Sequence, residues 1–178
     1  ASSYVHNKLM QQDPAYRARI LANEQLIQKE IMFQKSLKKD PKILATVYTI
    51  PVVVHVIHLG EAVGSGTNIS NAQIQSAITN MNNAFRNTAP YPSATDIEVQ
   101  FALAQRDPSC NATSGILRVN GAGVSDYSTQ GITTSGSDNE VTIKALSKWP
   151  SSNYYNIWVV AGIDGNMGGG GVQGYAYF

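Results

Sequence analysis

At 178 residues the chain is long enough for one domain with a real core and barely long enough for two. Its apolar share of 43% is that of an ordinary globular protein, its charged share of 14% is low, and a net charge of +1 gives no reason to expect nucleic acid or an anionic membrane as partner. No apolar run approaches the ~20 residues that span a bilayer; the longest, Ile50 to Ile57, is broken by Pro51 and His55.

Charge is unevenly placed, since residues 1–40 hold 11 of the 25 charged side chains, and two kinds of sequence are therefore joined here. Asp13-Pro14 reads as an N-cap followed by proline at the first helical position. From Pro14 to about Lys38 no glycine or further proline interrupts, so one long helix is expected, with an imperfect apolar stripe of Tyr16, Ile20, Ile27, Ile31 and Phe33. That stripe is too thin to stabilise an isolated helix, so the helix has to lean on something else. Lys38-Lys39-Asp40-Pro41 reads as a linker.

From Val47 the pattern changes. "VYTIPVVVHVIH" is apolar on both faces, which suits a central strand covered on both sides. Residues 60–68 are a Gly- and Ser-rich loop. Ser70 and Gln73 have capping-box spacing, and Ile74, Ala77, Ile78, Met81, Ala84 and Phe85 recur at helical spacing behind them, giving about four turns. "IEVQFALAQ", Ile97 to Gln105, alternates as a strand with one solvated side. "GILRV" is a further short strand. Ser137 and Glu140 repeat the capping-box spacing before a second helix, "EVTIKALSKW", ended by Pro150. "NYYNIWVVAG" reads as a buried strand, residues 165–171 as a glycine-rich loop, and "VQGYAYF" as a last strand. The order predicts a twisted α/β sheet backed by two helices.

Few residues carry recognisable chemistry. On a strand, His55 and His58 point to opposite faces and cannot grip one ion; they read as one core histidine and one at the strand's end. Gly169 to Gly174 formally match GxGxxG, but no helix follows to aim its N-terminus at a pyrophosphate. There is no GxSxG serine and no HExxH. The carboxylates beyond residue 40 form no acid/base pair: Glu140 is assigned to capping and Asp164-Gly165 to a turn. Cys110 follows Asp107-Pro108-Ser109 and reads as a turn residue, either a free thiol or a half-cystine whose partner lies outside the chain. Asn68-Ile69-Ser70 and Asn111-Ala112-Thr113 match the short glycosylation sequon. What remains is an edge. A glycine-rich loop leading into a strand of small and aromatic residues suits an extended peptide added as a further strand, with Gly170, Gly171 and Gly174 allowing close approach to Val172, Gln173, Tyr175 and Ala176. An internal strand paired on both sides fits the same residues.

Five segments in series, "YTIPVVVHVIH", "NISNAQIQSAITNMNNAF", "VQFALAQRDPSCNATSGILRV", "NYYNIWVVAG" and "GGGGVQGYAYF", resemble the start of a pappalysin-type metallopeptidase of the cytophagalysin kind, in the metzincin clan. The resemblance covers about residues 47–178 and implies a metzincin-like twisted mixed sheet of about five strands backed by two helices. It implies that residues 1–46 are a helical pro-segment and linker preceding the upper, N-terminal subdomain of the catalytic domain, 47–178. The family's zinc motif, HExxHxxGxxH, belongs to a helix after the segment matching "GGGGVQGYAYF". Zinc would therefore be held by the C-terminal catalytic half and by no residue of this chain; calcium is left open. The implied function is that of a secreted bacterial zinc metalloendopeptidase, inactive as this chain alone, with residues 170–176 along the substrate. The inhibitory cysteine that some relatives carry in the pro-segment has no counterpart in residues 1–46. The rival from another class is a non-catalytic module that holds a peptide or protein on its open edge strand.

Overall fold

A computed structural model of the chain describes residues 2–36, 46–91, 95–134, 139–168 and 170–177. They divide into two compact units, Ala1–Leu44 with Gly171–Phe178, and Ala45–Gly170.

In the first unit the expected single helix is two, α1 (Ser2–Gln12) and α2 (Pro14–Ser36). Asp13 separates them and starts the second: its Oδ1 accepts from the backbone N–H groups of Ala15 and Tyr16 at 2.9 and 3.0 Å, the N-cap role its side chain is suited to. α1 carries no strong sequence signal. Tyr16 is the anchor between the two helices, buried and hydrogen-bonded to His6 Nδ1 at 3.0 Å. The expected apolar stripe is also corrected. At 100° per residue, Ile27 and Ile31 lie on one side of α2, Leu21 and Met32 on a second, Leu26 and Phe33 on a third, and all six are 40–70% exposed. The anticipated linker at residues 38–41 lies outside the described residues.

The second unit is built on β1 (Tyr48–His58). β2 (Val99–Leu103), β3 (Ile116–Asn120) and β4 (Tyr155–Val159) all pair with it, and every one of these pairings is parallel, so among the described residues the sheet has four strands and is not mixed. Val52 pairs with both Leu103 and Tyr155, and Val54 with both Ile116 and Ile157. β2 and β3 therefore share one edge of β1, the first along its start and the second along its end, while β4 takes the opposite edge. Residues 52–57 of β1 are wholly buried, as its two-faced apolar pattern requires.

One face of the sheet is a dry core. Val52, Val54 and Val56 pack with Phe101 and with Ile74 and Ile78 of α3 (Asn71–Phe85). The anticipated capping box starts α3, with Ser70 Oγ accepting from Gln73 N–H and Gln73 Oε1 from Ser70 N–H. α3 also supplies Asn82. The even-numbered residues of β2 turn their backbone groups toward β1, because Ala104 N–H donates to Val52 and Glu98 accepts from Tyr48; the odd ones face outward. The Asn82 amide meets Phe101 on that outer edge, donating to its C=O at 2.9 Å and accepting from its N–H at 2.7 Å. β2 is shorter than the alternation suggested, because Glu98 has φ +58° and Ile97 stands 53% exposed before the strand begins.

The other face is covered by α4 (Tyr127–Gln130) and by α5 (Glu140–Ala145) with the chain after it. The second expected capping box rests on Ser137, which lies outside the described residues. Asn139 is the N-cap of α5 without a side-chain cap bond, and the Glu140 carboxylate pairs with Lys144. Asn139 ties loops together: its Oδ1 accepts from Thr133 N–H, and its Nδ2 donates to the Gly131 and Ser125 carbonyls. β4 is half-buried rather than buried.

Beyond Val56 and Val159 the two strands part, and a wholly buried tyrosine fills the gap. Tyr127 O–H donates to the Ile57 carbonyl at 2.6 Å and accepts from Ala161 N–H at 3.0 Å. Burial is the main reason its phenol is pushed up to about 12. Gly121 makes room for the ring, since a Cβ there would stand 2.8 Å from it and 2.6 Å from Ile57. Tyr127→Phe keeps the ring and strips both backbone groups of their partner. It is expected to cost about 1–3 kcal/mol in chemical denaturation; an unchanged midpoint would show that the hydroxyl is dispensable.

Candidate functional site

In parallel sheets ligands usually sit outside the carboxyl ends of the strands, and the polar groups here are already spent. After β1, Glu61 folds the loop back on itself. Its carboxylate accepts from the Leu59 and Thr67 N–H groups at 2.8 and 3.1 Å and from the Thr67 hydroxyl. Its own backbone N–H, then Thr67's, are the chief reasons its pKa is lowered to about 2. Asn68 is buried, donating to the Glu61 carbonyl at 2.7 Å and accepting from Arg118, so this sequon asparagine has no free amide in the folded chain. After β4, Asp164 takes the Thr134 N–H and hydroxyl at 2.7 and 2.5 Å, in the turn anticipated at Asp164-Gly165. Cys110 is an exposed free thiol at φ +66° in a turn that Asp107 organises.

The α5 face carries a tighter cluster. His55 is wholly buried, with Nδ1 2.9 Å from Ser147 Oγ and Nε2 2.9 Å from Asn156 Oδ1. The Asn156 amide is held by the Trp149 and Tyr154 carbonyls, and its Oδ1 also accepts from Trp149 N–H. Oδ1 is thus an acceptor, Nε2 of His55 carries the proton, and neutral Nδ1 accepts from the serine. The ring stacks on Trp158 at 4.8 Å, and Lys144 Nζ stands 5.2 Å from the Trp158 ring centroid. His55 is therefore the core histidine expected, and His58, at the end of β1, accepts from Gly60 N–H through Nδ1 at 3.0 Å. These residues do not fit a zinc ion: both His55 nitrogens are committed, and among the described residues no three His, Cys, Asp or Glu side chains converge.

The predicted substrate segment is placed differently from expectation in one respect. Residues 172–177 belong to no strand. The segment falls in the unit of the N-terminal helices. Tyr175 and Tyr177 meet edge to face at 5.6 Å. A Cβ added at Gly170 or Gly174 would meet nothing within 4 Å, so no contact inside the described chain requires glycine at either position. Gly171, at φ +129°, needs it for its backbone.

No protein-family model matches the chain, and no curated protein matches it. Solved structures do. Mirolysin in complex with a small compound is 33% identical with a TM-score of 0.52, over 68% of this chain and 45% of that one. A promirolysin mutant from Tannerella forsythia is 28% identical with a TM-score of 0.55, over 86% and 47%. Mature Tannerella forsythia mirolysin in complex with a cleaved peptide is 34% identical with a TM-score of 0.49, over 65% and 43%. The chain spans about half the length of the solved chains it matches. It is structurally similar to mirolysin, a pappalysin-family metzincin, as the five segments implied.

The Glu61 loop gives a test of the geometry. A carboxyl held down to about 2 against an ordinary 4.5 stabilises the loop fully above pH 4.5 and loses that effect as pH falls toward 2. The Leu59 and Thr67 amides are expected to lose several-fold protection, corrected for intrinsic rates, in Glu61→Ala at pH 7 and in the wild type on acidification through that window. Exchange unchanged in both cases would remove Glu61 as the organiser.

Proposed function

We propose that the chain is the pro-segment and the upper, N-terminal part of the catalytic domain of a secreted bacterial zinc metalloendopeptidase. Residues 1–46 are the pro-segment, and residues 170–176 align a peptide substrate by strand addition. The observation that carries this is the difference in coverage between the promirolysin match and the mirolysin match. Residues 47–178 make up 132 of 178 residues, or 74% of the chain. The 68% matched by mirolysin in complex with a compound is no more than that share, whereas the 86% matched by the pro-form has to reach into residues 1–46.

Two features of the chain support the same reading. A helix apolar on several sides is ordinarily enclosed, and α2 has three such sides; the catalytic half would cover them. The segment offered to substrate also clusters in one unit with the pro-segment helices, which suits a latent form in which the helices keep that segment from peptide. Zinc, held by the catalytic half, would activate water and polarise the scissile carbonyl. This chain's own part is to present the backbone of Val172 to Ala176 along the peptide, with the glycines leaving room for it.

The reading frame beyond Phe178 is expected to encode HExxHxxGxxH, and the 178-residue chain is expected to cleave no fluorogenic peptide with zinc present. A frame without the motif, or metal-dependent cleavage by the pure chain, overturns the proposal. In the longer form, Gly174→Ala is expected to leave the stability within about 1 kcal/mol of the original while lowering kcat/KM through KM. Unaltered kcat/KM would detach this segment from substrate.

A further inference from the structure

We infer that His55 is an acid-released latch that holds the turn after α5, residues 146–154, against the sheet. The latch consists of three side chains from distant parts of the chain. Ser147 from the turn and Asn156 from β4 grip opposite nitrogens of a ring on β1, both at 2.9 Å. Asn156 extends the grip, because its amide holds the backbone of Trp149 and Tyr154 at either end of the same turn. One neutral imidazole thus joins the turn to the central strand.

Every charged or titratable group facing the ring works against a second proton on it, or is already committed. From α5, the Lys144 ammonium lies 5.2 Å from the Trp158 ring that stacks on His55, and the Glu140 carboxylate is paired with that lysine. From α4, Tyr127 is neutral, its phenol pushed up to about 12. Beside His55 on β3 stands Leu117 and on β4 Trp158, neither of which ionises. Burial accordingly holds the histidine pKa below 6.5, against a smaller opposing effect of the Asn156 bond. Protonation would place a proton on Nδ1 and force Ser147 to turn its hydroxyl from donor to acceptor, with a cation left where no water reaches. Release of the turn relieves both.

The Trp158 indole N–H is the one buried side-chain polar atom without a hydrogen-bond partner among the described residues. Such a donor is a standing cost, and water admitted by the open turn would meet it. The closed state is therefore held by the His55 contacts while an unmet donor beside them favours opening.

The sign follows from linkage. A histidine held neutral when closed, and titrating near 6.5 when open, favours the closed state above pH 6.5 and loses that preference as pH falls below it. For one proton, the open-to-closed ratio rises by at most about tenfold between pH 7.5 and 5.5. Hydrogen exchange read by mass spectrometry on the 178-residue chain, corrected for intrinsic rates, tests this. The wild type is expected to lose protection in residues 146–154 over that interval, by at most about tenfold, and His55→Gln is expected to lose the pH dependence. Should His55→Gln fail to fold, Ser147→Ala is the second variant, expected to show at pH 7.5 the exchange that the wild type reaches at 5.5. Constant wild-type protection, an equal fall in His55→Gln, or wild-type protection in Ser147→Ala at pH 7.5 would each overturn the latch.

Discussion

The sheet depends on a single strand having neighbours on both edges and cover on both faces. Among the described residues β1 is the strand that pairs with each of the other three, and residues 52–57 expose almost nothing to solvent. A parallel sheet is normally covered on both faces, so the rest of the unit is arranged to supply that cover. α3 does it with Ile74 and Ile78 over the valines. The opposite face is covered more irregularly, by a one-turn helix, a six-residue helix and a turn. Because Val53, His55 and Ile57 alternate there, a ring with two polar atoms is buried in mid-strand and has to be satisfied. Ser147 and Asn156 do that, and in doing so fix where the chain after α5 can run.

The parts of this arrangement written in short-range chemistry are legible in the amino-acid sequence itself. β1, α3 with its capping box, β3 and the Asp13 cap follow from periodicity and local hydrogen bonding, which neighbouring residues display directly. The errors have physical causes. α1 has neither a proline nor a clear apolar face to mark it. Glu98 adopts a positive φ that no propensity anticipates, so alternation overran the true start of β2. Asn139, the residue just before α5, has its side chain occupied by Thr133, Gly131 and Ser125, which no local pattern announces. Nothing local could reveal that Ser147 and Asn156 converge on His55, since 92 and 101 residues separate them from it.

The segment at residues 170–176 shows the converse. Its glycines look functional from sequence, and the structure removes a competing explanation for two of them, because Gly170 and Gly174 have open space where a side chain would go. Gly121 is different: its lack of a side chain is accounted for by Tyr127. A glycine required by its neighbours is part of the fold, whereas one surrounded by space leaves room for something else. The strand character predicted for this segment is absent: its residues make no ladder with another described strand.

Asn82 has a consequence for how the chain behaves in company. A strand with an open edge is a template on which another chain can assemble, and native sheets commonly protect such edges. Here the middle of β2 is already answered: one carboxamide from α3 supplies both the donor and the acceptor that an incoming strand would bring. β2 and β3 are also five residues each, divided by the excursion of residues 104–115, so no long uninterrupted ladder is on offer along that side. Replacing Asn82 with an aliphatic residue of similar size would leave the hydrophobic core beneath it intact and expose a docking point for β-sheet aggregation. In this respect one asparagine protects solubility as a short extra strand would.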